Sequence, residues 1–281
     1  MLVKTMRSGK PSRTAQFVAF NRALGNLAPE VPGFSDPLAI EFLPENWRKR
    51  IPRKPGYPIG VRRGNCVVNQ FRTVVLDRAI VSAGRLPQLV ILGAGFDSRA
   101  WRLPGLEETA VFEVDHPATQ ALKRERASAM RAKAREVHFV ATDFRHNDLA
   151  ARLVDAGYDA DRPAFWLWEG VTLYLRPAEV AANLATFAAL SAPGSRLALT
   201  YLRKDRGRTR RSIFLALMGE PVRSAYAPAE LAEAAKACGW AAMSDSGIED
   251  WLRDLTPEMR LTRRQVGLQW LERILVAEKS S

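Results

Sequence analysis

Four apolar residues in a row, Leu89-Val90-Ile91-Leu92, break off at Gly93-Ala94-Gly95. An uninterrupted apolar run of this length predicts a strand buried on both faces, as in a parallel sheet covered by helices on either side. Further strand-like segments follow at 110–114, 137–141, 163–168, 195–202, about 240–245 and 272–278. Helical spacing separates them. A helix is expected from Ser12 to Leu27, and another over 65–83, where Val68, Phe71, Val75 and Ala79 recur on one face. A third starts near Pro177 and runs to about Leu190, with Val180, Leu184 and Phe187 facing the sheet. A fourth spans Pro228 to Cys238 and stops at Gly239. Such alternation predicts a doubly wound α/β sheet. Prolines from Pro29 to Pro58 punctuate the stretch before the first strand, so residues 1–60 read as a cap over the glycine turn. The expectation is one domain, 1–281, containing that cap.

The chemistry gathers at the strand ends. Glycines at 93 and 95, flanking Ala94, let backbone approach a ligand closely, and Asp97 or Ser98 can cap the helix that follows. A dinucleotide fingerprint needs a third glycine where Ser98 stands, and the Gly9-Lys10 pair is followed by Pro11, which excludes a phosphate loop. The second strand ends in Glu113 and Asp115, which share a face and suit the two hydroxyls of a ribose. The third strand leads into Thr142-Asp143-Phe144, an acid for an exocyclic amine beside an apolar wall for a base. Glu169 leaves the fourth strand after Phe165-Trp166-Leu167-Trp168, a poor place for a carboxylate that only needs solvent. In this order the features describe an S-adenosylmethionine site better than a nicotinamide site.

Four stretches then carry a resemblance. They are Leu92-Gly93-Ala94-Gly95-Phe96-Asp97-Ser98-Arg99-Ala100-Trp101-Arg102-Leu103, Phe112-Glu113-Val114-Asp115-His116-Pro117, Ala141-Thr142-Asp143-Phe144-Arg145 and Trp168-Glu169-Gly170-Val171-Thr172-Leu173-Tyr174-Leu175. Together with Ser12-Arg13-Thr14-Ala15 and Phe34-Ser35-Asp36-Pro37-Leu38-Ala39, the chain resembles the leucine carboxyl methyltransferase-like family, in particular its bacterial members related to polyketide carboxyl methyltransferases. The resemblance implies a mostly parallel seven-stranded sheet of the class I methyltransferase, Rossmann-like type, with a reversed last strand and an N-terminal helical cap. It implies S-adenosylmethionine as cofactor, with Arg72 and Gly93 on its methionine part and Asp115 on the ribose. Asp143 and Phe144 would take the adenine edge, Glu169 the amino group, and Arg13 a further basic contact. Many relatives carry Leu where Phe144 stands.

Composition narrows the partners. Forty-two basic against thirty acidic residues leave a net charge of +12, clustered at Arg48-Lys49-Arg50, Arg53-Lys54 and along 203–211. No aromatic residues interleave these clusters, which argues for a solvated surface rather than a nucleic-acid site. No apolar run nears the ~20 residues of a membrane span, and the amino terminus lacks a secretory pattern, so a cytoplasmic protein is expected. Two cysteines, Cys66 and Cys238, give neither a disulfide framework nor metal-ligand spacing, and no metal is expected.

For catalysis, the three histidines, His116, His138 and His146, have no triad company. Tyr174 and Tyr201 are the candidates near the acceptor, each equally readable as a packed tyrosine. A carboxylate acceptor needs no general base, being ionised already at neutral pH. The resulting expectation is carboxyl O-methylation of a small molecule, with Arg176 or an arginine of 203–211 orienting the acceptor. An RNA or protein methyltransferase, or a non-catalytic cofactor-binding protein, are the alternatives. Acceptor identity and oligomeric state are not encoded in any readable motif.

Overall fold

The computed structural model describes residues 11–52, 61–142, 148–205 and 222–280. Seven strands form one sheet in the order β3-β2-β1-β4-β5-β7-β6. They are β1 (Gln88–Leu92), β2 (Ala110–Asp115), β3 (Glu136–Ala141), β4 (Ala164–Trp168), β5 (Arg196–Leu202), β6 (Trp240–Gly247) and β7 (Glu272–Lys279). Strands β1 to β5 pair in parallel, whereas β7 runs antiparallel to both β5 and β6. The reversed last strand implied by the resemblance is present.

Parallel neighbours need crossovers, and the helices supply them. In chain order they are α1 (Arg13–Leu27), α2 (Glu45–Arg48), α3 (Val61–Ser82), α4 (Arg99–Arg102), α5 (Pro117–Ala127), α6 (Leu149–Asp155), α7 (Pro177–Ala189), α8 (Pro228–Ala237), α9 (Ile248–Leu255) and α10 (Arg263–Val266). Alternation along each strand divides the core between the two faces. Leu89, Ile91, Phe165 and Leu167 join one apolar cluster with α1, α3 and α4. Val90, Leu92, Trp166 and Trp168 join a second with α6, α7 and α8. The predicted sheet-facing residues of α7, Val180, Leu184 and Phe187, are all buried in that second cluster. Helix α3 starts at Val61, earlier than the expected 65, and buries a wider stripe, with Val67, Val74, Leu76 and Ile80 joining Val68 and Phe71.

The cap belongs to the same core. Ala19, Phe20, Ala23, Phe34 and Phe42 pack into the cluster shared by α3 and β1. Ser12 caps α1 by accepting from the Ala15 N–H at 3.1 Å, and its own N–H donates to Thr119 Oγ1 at 3.1 Å on α5. The start of α1 is thereby tied above the turn that follows β1. Helix α3 is pressed equally closely elsewhere: a Cβ at Gly64 would lie 2.2 Å from the carbonyl oxygen of Gln265 on α10.

Among the described residues no helix is long and apolar enough to cross a membrane, and no cluster of metal-ligating side chains occurs.

Candidate active site

The strand order reverses between β1 and β4, because β1 leads outward to β2 and β3 whereas β4 leads to β5. Loops leaving the two strands diverge there and open a crevice at their carboxyl ends. Gly93 to Asp97 follow β1, and Glu169 with Gly170 follow β4.

Local geometry explains the glycines. Gly93 and Gly95 have φ of 68° and 50°, in the left-handed region that L side chains avoid. The N–H groups of Gly93 and Ala94 both donate to the Val114 carbonyl, at 2.8 and 3.0 Å, which fastens the turn to β2. A Cβ on Gly95 would stand 3.0 Å from the Ala15 methyl of α1, so the cap rests directly on this turn. Ser98 is the N-cap residue of α4, and Asp97 just before it accepts from the Arg99 N–H of the first turn at 2.7 Å.

Asp115, at the end of β2, accepts from the Gly95 N–H through Oδ2 and from the His116 N–H at 2.6 Å through Oδ1. Burial pushes its carboxyl above the usual range, with the two N–H donors opposing. Each oxygen keeps a further lone pair for a hydroxyl donor. Glu113, on the same face, is taken up differently. Its carboxylate lies 2.6 Å from Lys123 Nζ, both being 1% exposed, and that ammonium sits over the rings of Phe42 and Trp101. Burial raises Glu113 to about 7 in spite of Lys123. This acid anchors α5 to the cap and is not free to share a ribose with Asp115.

Arg72, one position after the buried Phe71 of α3, stands inside the molecule, 5% exposed. Its Nε lies 2.7 Å from Glu169, Nη1 donates to Glu272 at 2.8 Å, and Nη2 donates to Asn69 at 3.0 Å. Burial works to raise the Glu169 carboxyl, yet Arg72 and then Arg99 outweigh it and hold it down to about 2. Glu169 is therefore an ionised, buried anion. Arg99 is fully buried and joins Glu169 at 2.8 Å, Asp77 at 2.6 Å and Asp97. Asp77 also pairs with Arg102, which with Arg22 flanks the fully buried Asp36. A continuous ion chain thus underlies the crevice from cap to β7. The resemblance had pointed to Arg72, and the strand exit with the resemblance to Glu169, but neither had given a role to Arg22, Asp36, Asp77, Arg99, Arg102 or Glu272. The one local signal was an acid, Asp77, set between the buried Leu76 and Ile80 of α3.

The remaining candidates separate. Arg13 lies exposed on the first turn of α1 and forms no ion pair among the described residues. Asp143 and Phe144 fall outside the described residues, as do 206–211 of the basic stretch. Tyr174 ends a single 3-10 turn, Thr172–Tyr174, and is half-buried. Tyr201 is 1% exposed and donates to Asp245 at 2.7 Å, an acid also held by Arg273 at 2.6 Å. Its face is that of the α7–α8 cluster, opposite Arg72. Arg176 pairs with Glu179 at the start of α7 with 69% of its side chain exposed. His116 likewise caps α5, its Nδ1 accepting from the Ala118 N–H at 3.3 Å.

A zwitterion and a diol complement this set. Arg72 has five N–H donors: Nη1 donates to Glu272 and Nη2 to Asn69, which leaves one on each terminal nitrogen for a carboxylate, while Nε is ion-paired with Glu169 without a hydrogen bond. Arg99 Nη2 is buried without a hydrogen-bond partner. Glu169 offers its charge to an ammonium, and Asp115 its spare lone pairs to hydroxyls.

The model of the family described as leucine carboxyl methyltransferase matches residues 15–188, well over half of the chain. A Streptomyces coelicolor protein, whose assigned name is that of an S-adenosyl-L-methionine-dependent methyltransferase, is 37% identical over 197 residues, 66% of this chain and 64% of that relative. A similarly named Mycolicibacterium gilvum protein is 44% identical over 125 residues, which span 44% of this chain and 40% of the relative. The chain therefore spans less than two thirds of the length of these curated relatives. A Thermobifida fusca crystal structure described as a methyltransferase superposes with a TM-score of 0.60 at 17% identity, covering 98% of this chain and 97% of the other. At that identity the likeness concerns the fold, which is the class I methyltransferase fold. The chain belongs to the leucine carboxyl methyltransferase family.

Proposed function

We propose that this protein is an S-adenosylmethionine-dependent methyltransferase that esterifies a carboxylate of a small molecule. The observation that carries the reading is the pairing of a buried ionised Glu169 with Arg72, next to the left-handed glycine turn and Asp115. Arg72 and Glu169 would hold the carboxylate and ammonium of the methionine end, Gly93, Ala94 and Gly95 its close backbone approach, and Asp115 the ribose hydroxyls. Asp143 and Phe144 would take the adenine, and Arg13, on the cap, would reach the same ligand from above. When bound, the cofactor supplies an electrophilic methyl group on a sulfonium.

The chain then has three tasks: orienting the acceptor oxygen in line with that methyl, excluding water and stabilising nothing by proton transfer. The cap, resting on Gly95 through Ala15, would serve the second task. The third follows from commitments already described. Tyr201 donates to Asp245 and His116 caps α5, so neither is placed as a base. A carboxylate acceptor makes that acceptable, whereas an alcohol would need its proton removed.

Incubation of the protein with labelled S-adenosylmethionine and a panel of carboxylic acids, alcohols and amines tests the reading. Label is expected in products that mild base hydrolyses, as it does methyl esters. Label only in base-stable ethers or N-methyl products overturns the carboxyl assignment.

A further inference from the structure

Glu272 opens β7, opposite Leu202 on β5, and lies beyond the residues matched by the family model. It nevertheless reaches the centre of the site. Its carboxylate, 8% exposed, accepts from Arg72 Nη1 across 200 residues of sequence. The ion chain that it terminates contains five carboxylates and four guanidiniums. Arg72 and Glu169 would be neutralised in full by the carboxylate and ammonium of a bound amino acid. The chain then keeps its one negative charge in excess, and Glu272 is its terminal acid, ion-paired with Arg72 alone among the described residues.

We propose that Glu272 biases the site toward the cationic sulfonium donor and against its uncharged thioether product, by leaving the buried ion chain one negative charge in excess. The inference rests on the cofactor reading above. Donor and product share adenosine and a zwitterionic amino acid, and differ by one methyl group and one positive charge. A buried anion in the same shell attracts that charge through weakly screened Coulomb interaction and gains nothing from the thioether. Preference for the donor favours exchange of the spent product after each turnover. Burial raises the Glu272 carboxyl and Arg72 opposes it, while the neighbouring Glu169 stays ionised down to about 2. Among the groups facing it, Arg72 from α3 and Glu169 from the exit of β4, Glu272 is therefore the one to take a proton on acidification.

Calorimetry on the full chain tests this with S-adenosylmethionine, S-adenosylhomocysteine and 5′-methylthioadenosine, the last lacking the amino-acid end. In Glu272→Gln, which keeps an oxygen acceptor for Arg72, the preference for donor over product is expected to fall about three- to tenfold. Glu272→Asp, which keeps the charge, is expected to retain it, and 5′-methylthioadenosine is expected to bind all three proteins alike. Lowering the pH should narrow the preference in the wild type and not in Glu272→Gln, a readout that needs no second folded variant for its first half. An unchanged ratio in Glu272→Gln, or a parallel loss of all three ligands that marks a mere prop, overturns the role of Glu272 and leaves the cofactor reading standing. Wild-type protein that binds none of the three contradicts the cofactor reading and this inference with it.

Discussion

Asp115→Ala is expected to weaken binding of S-adenosylmethionine severely and to leave the sheet folded. Each charge-assisted hydrogen bond from a ribose hydroxyl to a carboxylate contributes ~1.5–3 kcal/mol. Two of them lost together weaken affinity by at least about 100-fold. The fold loses less. Asp115 accepts from the N–H groups of Gly95 and His116, but the turn itself is fastened independently by Gly93 and Ala94 donating to Val114. Asp115→Asn, which keeps one acceptor oxygen without the charge, is expected to fall between the two. Calorimetric titration with circular dichroism of the same samples checks both halves, and an Asp115→Ala protein with wild-type affinity refutes the ribose assignment.

Arg99→Met is expected to cost more stability than any other single change in the ion chain. Arg99 is fully buried, and three carboxylates face it: Asp97, Asp77 and Glu169. Asp97 shows the dependence most clearly. Burial works to raise its carboxyl, and Arg99, then Arg22 and Lys123, overcome this and hold it well below the usual range. Removal of one partner from a buried ion pair costs ~3–5 kcal/mol, because the other charge is left without compensation. Against a total stability of ~5–15 kcal/mol, the loss lowers the melting temperature by about 10 °C or prevents folding. Arg176→Met, at an exposed helix-capping pair, should shift it by no more than about 2 °C. A thermal denaturation series reads both. Equal melting temperatures for wild type and Arg99→Met would show that the acids are held by something other than this guanidinium.

Signals confined to a few consecutive residues were legible in the sequence. Apolar runs placed β1 at 88–92 and β4 at 163–168, against the observed Gln88–Leu92 and Ala164–Trp168, because a strand covered on both faces has no polar position to spare. The glycine turn, Asp115 and Glu169 were legible because each stands where such a run stops. Helix α3 was read short at its start, where Arg62, Arg63 and Asn65 interrupt the apolar period. The ion chain was illegible for a different reason. Its members are matched across the fold, Arg72 to Glu272 and Arg99 to Glu169, and no local period records a partner 200 or 70 residues away. Glu113 and Asp115 show the same limit at close range. They share a strand face, yet Lys123 of α5 claims one and the glycine turn claims the other.

Crystallographic analysis of the protein with S-adenosylhomocysteine bound tests the central claim most directly. Density is predicted in the crevice between the ends of β1 and β4, with ribose hydroxyls on Asp115, the amino-acid carboxylate on Arg72 and its ammonium toward Glu169. A ligand seated elsewhere, or an empty crevice in crystals saturated with it, would contradict the account.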